Sequence, residues 1–171
     1  MPSRLDPRFR QILDAHGPAV WRIVSAYART RADREDLYQD VLFQVWRALP
    51  SFRGEASERT WITRIAFNVA LGAVRRRDVR ATADAPATVD AAPDPRPDPH
   101  DATERSDALR RLGDALRQLP AVDRALVVLA LEERPHAEIA DVLGLSVSNV
   151  AVRLHRARRR LAALLADPVS P

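Results

Sequence analysis

The sequence predicts an all-α protein, with two small helical domains joined by a flexible linker. Aromatic residues make up only 5% of the chain and there are five glycines, which argues against a sheet-rich fold. Apolar residues recur at steps of three and four, the period of amphipathic helices. Five prolines among Ala, Asp and Thr interrupt residues 81–106, which excludes a helix or central strand there. We therefore expect residues 1–80 and 107–171 to fold separately.

The N-terminal domain contains three helical patterns. The first covers about residues 7–29 and includes Gly17-Pro18, a pair that should break or kink it. The second begins near Asp33, a predicted N-cap, and ends near Leu49. Ser57 caps the third helix, which reaches about residue 78.

The C-terminal domain also reads as helices. One covers about residues 106–118 and stops at Pro120, and another spans about residues 122–131. A helix-turn-helix follows, beginning around Pro135, which suits the first turn of a helix.

Three residues define the turn of this motif. Ala140 is small where two helices must cross, Gly144 suits a left-handed residue that ends a helix, and Ser146 can cap the next one. The last helix has an apolar stripe, predicted to face inward: Val147, Val150, Leu154, Ala157, Leu161 and Leu164. Its other side carries Ser148, Asn149, Arg153, Arg156 and Arg160. This face fits the major groove of DNA, although a solvated arginine face is the alternative.

Charge is distributed unevenly, and every basic residue is arginine. Residues 1–80 carry a net charge of +6, residues 81–107 carry −5, and residues 108–171 carry +3. The two basic blocks suit a polyanionic partner, whereas the acidic middle would be repelled by it.

Composition also limits the chemistry. The chain has no cysteine, its four histidines show no metal-ligand spacing, and it has neither a phosphate-binding glycine loop nor a nucleophile motif. We expect no catalytic residues, no metal and no cofactor, so an enzyme is disfavoured. The first residues lack a signal-peptide core, and the longest aliphatic run, residues 125–131, is too short to span a bilayer. A cytoplasmic protein without membrane insertion is expected.

The second helix has two different faces. The predicted buried stripe comprises Leu37, Val41, Val45 and Leu49, widened by Leu42 and Trp46. The other face holds Asp36, Gln39, Asp40, Phe43 and Arg47. An exposed Phe43 surrounded by polar groups resembles a protein-binding anchor with a polar rim. The alternative is that Phe43 packs beneath the first helix.

The third helix shows a similar division. The residues predicted to face inward are Trp61, Ile62, Ile65, Ala66, Val69 and Ala73. A second face, Thr60, Arg64, Asn68 and Arg75, leads into the run 75–77 of three arginines and suits nucleic-acid contacts. A solvated helix surface is the alternative, and Trp61 is interpreted as a core residue rather than a base-stacking platform.

These residues carry a family resemblance. Residues 35–46, EDLYQDVLFQVW, resemble region 2.2 of the bacterial sigma-70 family, and residues 61–68 with the arginines at 75–77 resemble the regions just after it. Leu119-Pro120, residues 138–140 and residues 150–158 resemble region 4. Order and spacing match the extracytoplasmic-function (ECF) sigma factors, which implies a region 2-like bundle at 1–80 and a region 4-like helix-turn-helix at 107–171.

The resemblance implies a function: binding of core RNA polymerase and promoter-specific transcription initiation. It assigns contacts with the clamp helices of the polymerase β′ subunit to Asp36, Gln39, Asp40 and Phe43. It assigns recognition and opening of the minus-10 element to Phe52, Arg53, Arg59, Arg64, Asn68 and Arg75. It assigns the minus-35 element to Ser148, Asn149, Arg153 and Arg156. It further implies a β-flap contact by region 4 and an anti-sigma partner. A stand-alone helix-turn-helix regulator is the alternative.

Overall fold

The computed structural model of the chain describes residues 7–83 and 104–166, with side chains within 7–81 and 107–166. Within these ranges every regular element is a helix, which confirms the predicted fold class. The chain divides into two compact units, Met1–Ala85 and Pro86–Pro171. Residues 81–83 and 104–106 were predicted to be linker, but they are helical. The rest of the predicted linker, residues 84–103, lies outside the described residues.

The first unit is a bundle of three helices: α1 (Pro7–Tyr27), α2 (Arg31–Ala48) and α3 (Glu58–Ala83), with a short 3-10 turn at Leu49–Ser51. Each helix contacts the other two. Their buried faces meet in a core where the rings of Tyr27 and Phe67 lie edge to face, 6.2 Å between centroids. Other fully buried members are Ile23, Val24, Val41 and Val45.

Helix α1 continues through Gly17 and Pro18, so the predicted break of the helix at this pair is wrong. Proline removes one backbone hydrogen bond. Burial of apolar residues from both halves of α1 against α2 and α3 offsets that loss. Gly17 has a packing role, since a Cβ there would lie 3.0 Å from the hydroxyl oxygen of Tyr38. Burial also raises the pKa of that hydroxyl.

Helix α2 begins earlier than the sequence predicts. Its N-cap is Thr30, whose Oγ1 accepts a hydrogen bond of 3.1 Å from the backbone N–H of Asp33. Asp33 lies in the first turn instead, where its carboxylate accepts a 2.7 Å hydrogen bond from the backbone N–H of Arg29. The prediction failed because both residues are good caps, and the one nearer the apolar pattern was chosen.

Arg77 connects all three helices of this unit. Its Nη2 donates to both carboxylate oxygens of Asp33 at 2.7 and 2.9 Å, and its Nη1 donates to the carbonyl of Tyr27 at 3.1 Å. Arg77 lies within the predicted range of α3, and the helix continues beyond its predicted end near residue 78 to Ala83. The third arginine of the run 75–77 therefore serves the fold and is not available on the predicted nucleic-acid face.

The second unit contains α4 (Glu104–Arg117), α5 (Ala121–Leu131), α6 (His136–Leu143) and α7 (Val147–Ala166). Helix α5 is central, since α4, α6 and α7 all contact it and residues 124–129 are all buried. No Phe, Tyr or Trp occurs after residue 67, so this core is entirely aliphatic. Its fully buried side chains include Leu126, Leu129, Ile139, Val150 and Leu154.

Two buried arginines hold the turns of this unit. Arg124 donates from Nη2 to the carbonyls of Arg117 and Leu119 at 2.6 and 3.1 Å, which satisfies the end of α4. The side chain of Arg134, 1% exposed, pairs with Glu138 and lies 3.6 Å from Glu132. Both arginines fix a helix-to-helix connection from inside the unit.

We predict that Arg77→Ala lowers the free energy of unfolding of the first unit by about 2 kcal/mol, because it removes charge-assisted hydrogen bonds in a half-buried site. Urea unfolding of the full chain, followed by tryptophan fluorescence, measures it. All three tryptophans, at positions 21, 46 and 61, lie in this unit. Arg76→Ala, an exposed neighbour, is the control and should change stability by less than about 0.5 kcal/mol. Equal shifts for both variants would contradict this role of Arg77.

Candidate functional surfaces

An exposed aromatic pair marks the outer side of α2. Phe43 is 55% exposed and Trp46 54%, with ring centroids 6.1 Å apart. Asp36, Gln39 and Asp40 are exposed on the same side, opposite the buried Leu37, Val41 and Val45. We call these five outward residues, Asp36, Gln39, Asp40, Phe43 and Trp46, the α2 surface.

The exposure of Phe43 decides between the two interpretations of that residue. Phe43 does not pack beneath α1, so the exposed alternative is the correct one. Trp46 was predicted to widen the buried stripe, and that is wrong. At about 100° per residue, Trp46 lies about 60° from Phe43 around the helix and shares its exposed side. Trp46 is therefore a second aromatic residue of this surface, and helix geometry alone is sufficient to predict it.

The outer side of α3 carries Arg64, Asn68 and Arg75, all exposed. Their spacing of four and seven residues places them along one line of the helix, as predicted. We call this set the α3 surface. Arg77 lies on the opposite side of the same helix, about 180° from Asn68, which explains why it turns towards α1 and α2.

Thr60 does not belong to the α3 surface, although it was predicted there. It is buried, and its hydroxyl and its backbone N–H both contact the Ser57 Oγ, at 2.8 and 3.1 Å. The second of these bonds confirms Ser57 as the cap that starts α3. Thr60 thus belongs to the first turn of the helix rather than to a nucleic-acid face.

The segment before α3 places an aromatic pair beside the α3 surface. The rings of Phe52 and Trp61 lie 4.7 Å apart, and the guanidinium of Arg8 lies 5.8 Å from the Phe52 ring centroid. Trp61 is therefore half-buried under Phe52 rather than inside the core, where it was predicted. Arg53 and Arg59 are exposed nearby in sequence, and Gly54 adopts a positive φ of 76° that suits glycine.

The helix-turn-helix forms as its sequence predicts. Gly144 has φ 66° and ψ 37° and ends α6, while the next backbone N–H, of Leu145, bonds to the carbonyl of Ala140 at 3.0 Å. The hydroxyl of Ser146 caps α7 by accepting from the N–H of Asn149 at 3.2 Å. Helix α7 buries Val150, Leu154, Ala157 and Leu161.

The first residues of α7 present the predicted contact groups. Ser148, Asn149 and Arg156 are exposed. Val147 was predicted to face inward, but it is 50% exposed. It is the first residue of α7, at the end of the apolar stripe, where the neighbouring helices do not cover it. We call the outward side of α7, with Ser148, Asn149, Val152 and Arg156, the α7 surface.

Arg153 differs from the other candidates on α7. Its Nε and Nη2 both donate to Oδ1 of Asp123 on α5, at 2.9 and 2.6 Å, and the side chain is 33% exposed. The ion pair ties α7 to the central helix and turns the guanidinium away from the middle of the α7 surface. The Asp123 partner was not foreseen, since nothing local in the sequence connects positions 30 residues apart.

Two searches of the described residues give negative results. Residues 7–83 and 104–166 contain no group of three or more His, Asp or Glu side chains that could hold a metal ion. No helix in these ranges is long and apolar enough to cross a membrane.

Comparison with known proteins identifies the family of both units. Residues 12–80 match the model for sigma-70 region 2, and residues 109–161 match the model for sigma-70, region 4. The ECF RNA polymerase sigma factor SigE of Mycolicibacterium smegmatis is 31% identical over 161 residues, which cover 94% of this chain and 62% of SigE. The RNA polymerase sigma factor CnrH of Cupriavidus metallidurans is 32% identical over 165 residues, covering 92% of this chain and 86% of CnrH.

Two solved structures are similar. The sigma factor RpoE, crystallised with the anti-sigma factor NepR from Bartonella quintana, matches with a TM-score of 0.72 and 23% identity over 95% of this chain and 100% of that one. CnrH in complex with the cytosolic domain of CnrY matches with a TM-score of 0.69 and 29% identity over 96% of this chain and 92% of that one. By its two matched regions and its relatives, the chain belongs to the sigma-70 family, within the ECF group of RNA polymerase sigma factors.

Proposed function

We propose that this chain binds core RNA polymerase and directs it to specific promoters. The observation that carries the proposal is the α2 surface, where Phe43 and Trp46 are more than half exposed beside two carboxylates and an amide. Burying two aromatic rings on a partner gives a large apolar gain, and the polar rim adds selectivity. We assign the β′ clamp contact to Asp36, Gln39, Asp40 and Phe43, and we add Trp46.

The α3 surface and the loop before it are proposed to bind the minus-10 element. Arg64 and Arg75 offer guanidinium groups to phosphates, and Asn68 lies between them with an amide that can donate to and accept from a base edge. Phe52, Arg53 and Arg59 come from the adjoining loop. Opening a duplex costs a few kcal/mol for each unstacked base, and capture of an extruded base on this side offsets part of that cost.

The α7 surface is proposed to read the minus-35 element in the major groove. Ser148 and Asn149 stand at the start of the helix, where base edges are contacted, and Arg156 follows two turns later, where phosphates lie. Arg153 remains a candidate for contact with DNA, although its guanidinium also pairs with Asp123. Two of its donors are occupied, so a DNA contact would use the remaining N–H groups.

In this proposal the chain binds polymerase and promoter DNA, and the polymerase carries out the catalysis. Residues 1–80 would form the core-binding and minus-10 domain, residues 81–106 the linker, and residues 107–171 the minus-35 domain with a β-flap contact. Once the polymerase holds both domains, the second DNA contact becomes effectively intramolecular. The protein would act in the cytoplasm without a cofactor. An anti-sigma partner is proposed because RpoE and CnrH were each crystallised with a second protein, NepR and CnrY.

We expect Asp40→Arg and Phe43→Ala each to lower the affinity for core polymerase about tenfold or more, because Phe43→Ala removes the aromatic centre of the contact and Asp40→Arg reverses a charge in its rim. Affinity is measured by fluorescence anisotropy of the labelled full chain titrated with core enzyme. Asp14→Arg, the same charge reversal at an exposed site on α1, is the matched control. Unchanged affinity in both test variants, with folding intact by circular dichroism, would refute the assignment of the α2 surface.

We expect Asn68→Ala to slow open-complex formation by about tenfold on duplex promoter DNA and much less on a template whose minus-10 region is already unpaired. The physical reason is that the unpaired template has already lost its stacking and pairing energy. Permanganate reactivity of unpaired thymines measures opening. Gln11→Ala removes an exposed amide from α1 and is the control. A defect of equal size on both templates would contradict a role in opening.

The role of Arg153 is tested by comparing Arg153→Ala, Asp123→Ala and the variant that combines both. If Arg153 contacts DNA, Arg153→Ala should weaken minus-35-dependent binding of the holoenzyme about tenfold, whereas Asp123→Ala frees the guanidinium and should not weaken it. If the two single variants weaken binding equally and the double variant adds nothing, Arg153 acts only by positioning α7. Affinity for core enzyme is expected to stay constant throughout.

A further inference from the structure

Val152 is an exposed apolar residue where polar groups would be expected. It lies in the first half of α7, within the four-helix second unit, and 52% of its surface is exposed. Isolated apolar residues on a protein surface are common and carry no meaning by themselves. The position of Val152 on the helix is what distinguishes it.

Val152 stands on the outermost line of α7. At about 100° per residue, it lies about 160° from the buried Val150 and Leu154 and about 180° from Leu161. Ser148 lies about 40° to one side and Arg156 about 40° to the other, with Asn149 slightly further round. The centre of the α7 surface is therefore a branched apolar side chain within a rim of hydrogen-bonding groups.

The ion pair between Arg153 and Asp123 holds the Arg153 guanidinium away from Val152. Arg153 follows Val152 directly, and a freely extended guanidinium could fold over the valine. Two hydrogen bonds of 2.6 and 2.9 Å hold it against α5 instead. The isopropyl group of Val152 is therefore an exposed apolar feature of the α7 surface.

We propose that Val152 selects thymine at one position of the minus-35 element through contact with the C5-methyl group. This inference rests on the proposed function, in which α7 enters the major groove. In that groove only thymine presents a methyl group, and apolar side chains are its usual partners. A hydrogen-bonding residue at this point would read a donor or acceptor, whereas valine can offer only apolar contact and must leave a cytosine amino group unsatisfied.

The experiment uses holoenzyme made from core RNA polymerase and the full chain, with a pool of duplex DNA of random sequence as the probe. Wild-type holoenzyme should enrich an upstream element with thymine at one position where holoenzyme with Val152→Ser shows no preference. The selected duplex is then synthesised with deoxyuridine in place of that thymine, which removes only the methyl group. The wild type should lose about fourfold in affinity, the value of one buried methyl group, and Val152→Ser should bind both duplexes equally.

Val147→Ser is the matched control, because Val147 is also a valine on α7, is 50% exposed, and lies about 140° away around the helix. It should keep the full thymine preference. Serine and valine have similar helix propensities, so neither substitution should disturb folding. Equal binding of thymine and deoxyuridine duplexes by wild type would overturn the role of Val152 while leaving the proposed function intact. Failure of wild-type holoenzyme to enrich any element would overturn both.

Discussion

Burial of one side of each peripheral helix is the constraint on which this structure depends. In a bundle of three helices, α2 can cover only the stripe that holds Leu37, Val41 and Val45, and everything on the opposite side must face outward. The same holds for α7, which buries Val150, Leu154, Ala157 and Leu161 against the central α5. The candidate surfaces are therefore the sides of the helices that the core does not use, and burial in the core does not account for the aromatic pair Phe43 and Trp46 on one of them.

Arginine serves two purposes in this chain, and residue type alone does not separate them. With no lysine available, arginine supplies both the internal ties and the outward positive charge. Arg77, Arg124, Arg134 and Arg153 reach carbonyls or carboxylates within their own unit. A guanidinium has five donors in a fixed plane and can satisfy several acceptors at once. It therefore suits hydrogen bonding to the carbonyls at helix ends and to carboxylates on neighbouring helices. The arginines that lie outward keep the charge that a polyanion would use.

The sequence predicts what is local and fails where the answer depends on distant partners. The helices, the glycine that ends α6 and the serine caps before α3 and α7 follow from short-range chemistry, and all are confirmed. The start of α2 was misplaced because Thr30 and Asp33 both suit an N-cap, and the sequence does not show that the Asp33 carboxylate pairs with Arg77, 44 residues away. Thr60, Trp61 and Val147 were misassigned for a related reason: helix periodicity gives the direction of a side chain, but the neighbouring elements decide whether it is covered. The exposed Phe43 could be predicted, whereas the pairing of Arg153 could not. The assignments to promoter elements remain proposals.

The contrast between charged and uncharged outward residues has a consequence for promoter choice. Arginine contacts with phosphates release counterions and strengthen binding to any DNA, so they carry little sequence information. Uncharged groups on the same surfaces, such as Asn68, Ser148, Asn149 and Val152, can add discrimination without adding phosphate contacts. Substitution of one of these uncharged residues leaves the surrounding arginine–phosphate contacts in place. It also leaves the core intact, because the core lies on the other side of the helix. On the proposed assignment, single outward residues of α3 and α7 can alter promoter preference while the polymerase contact on α2 stays the same.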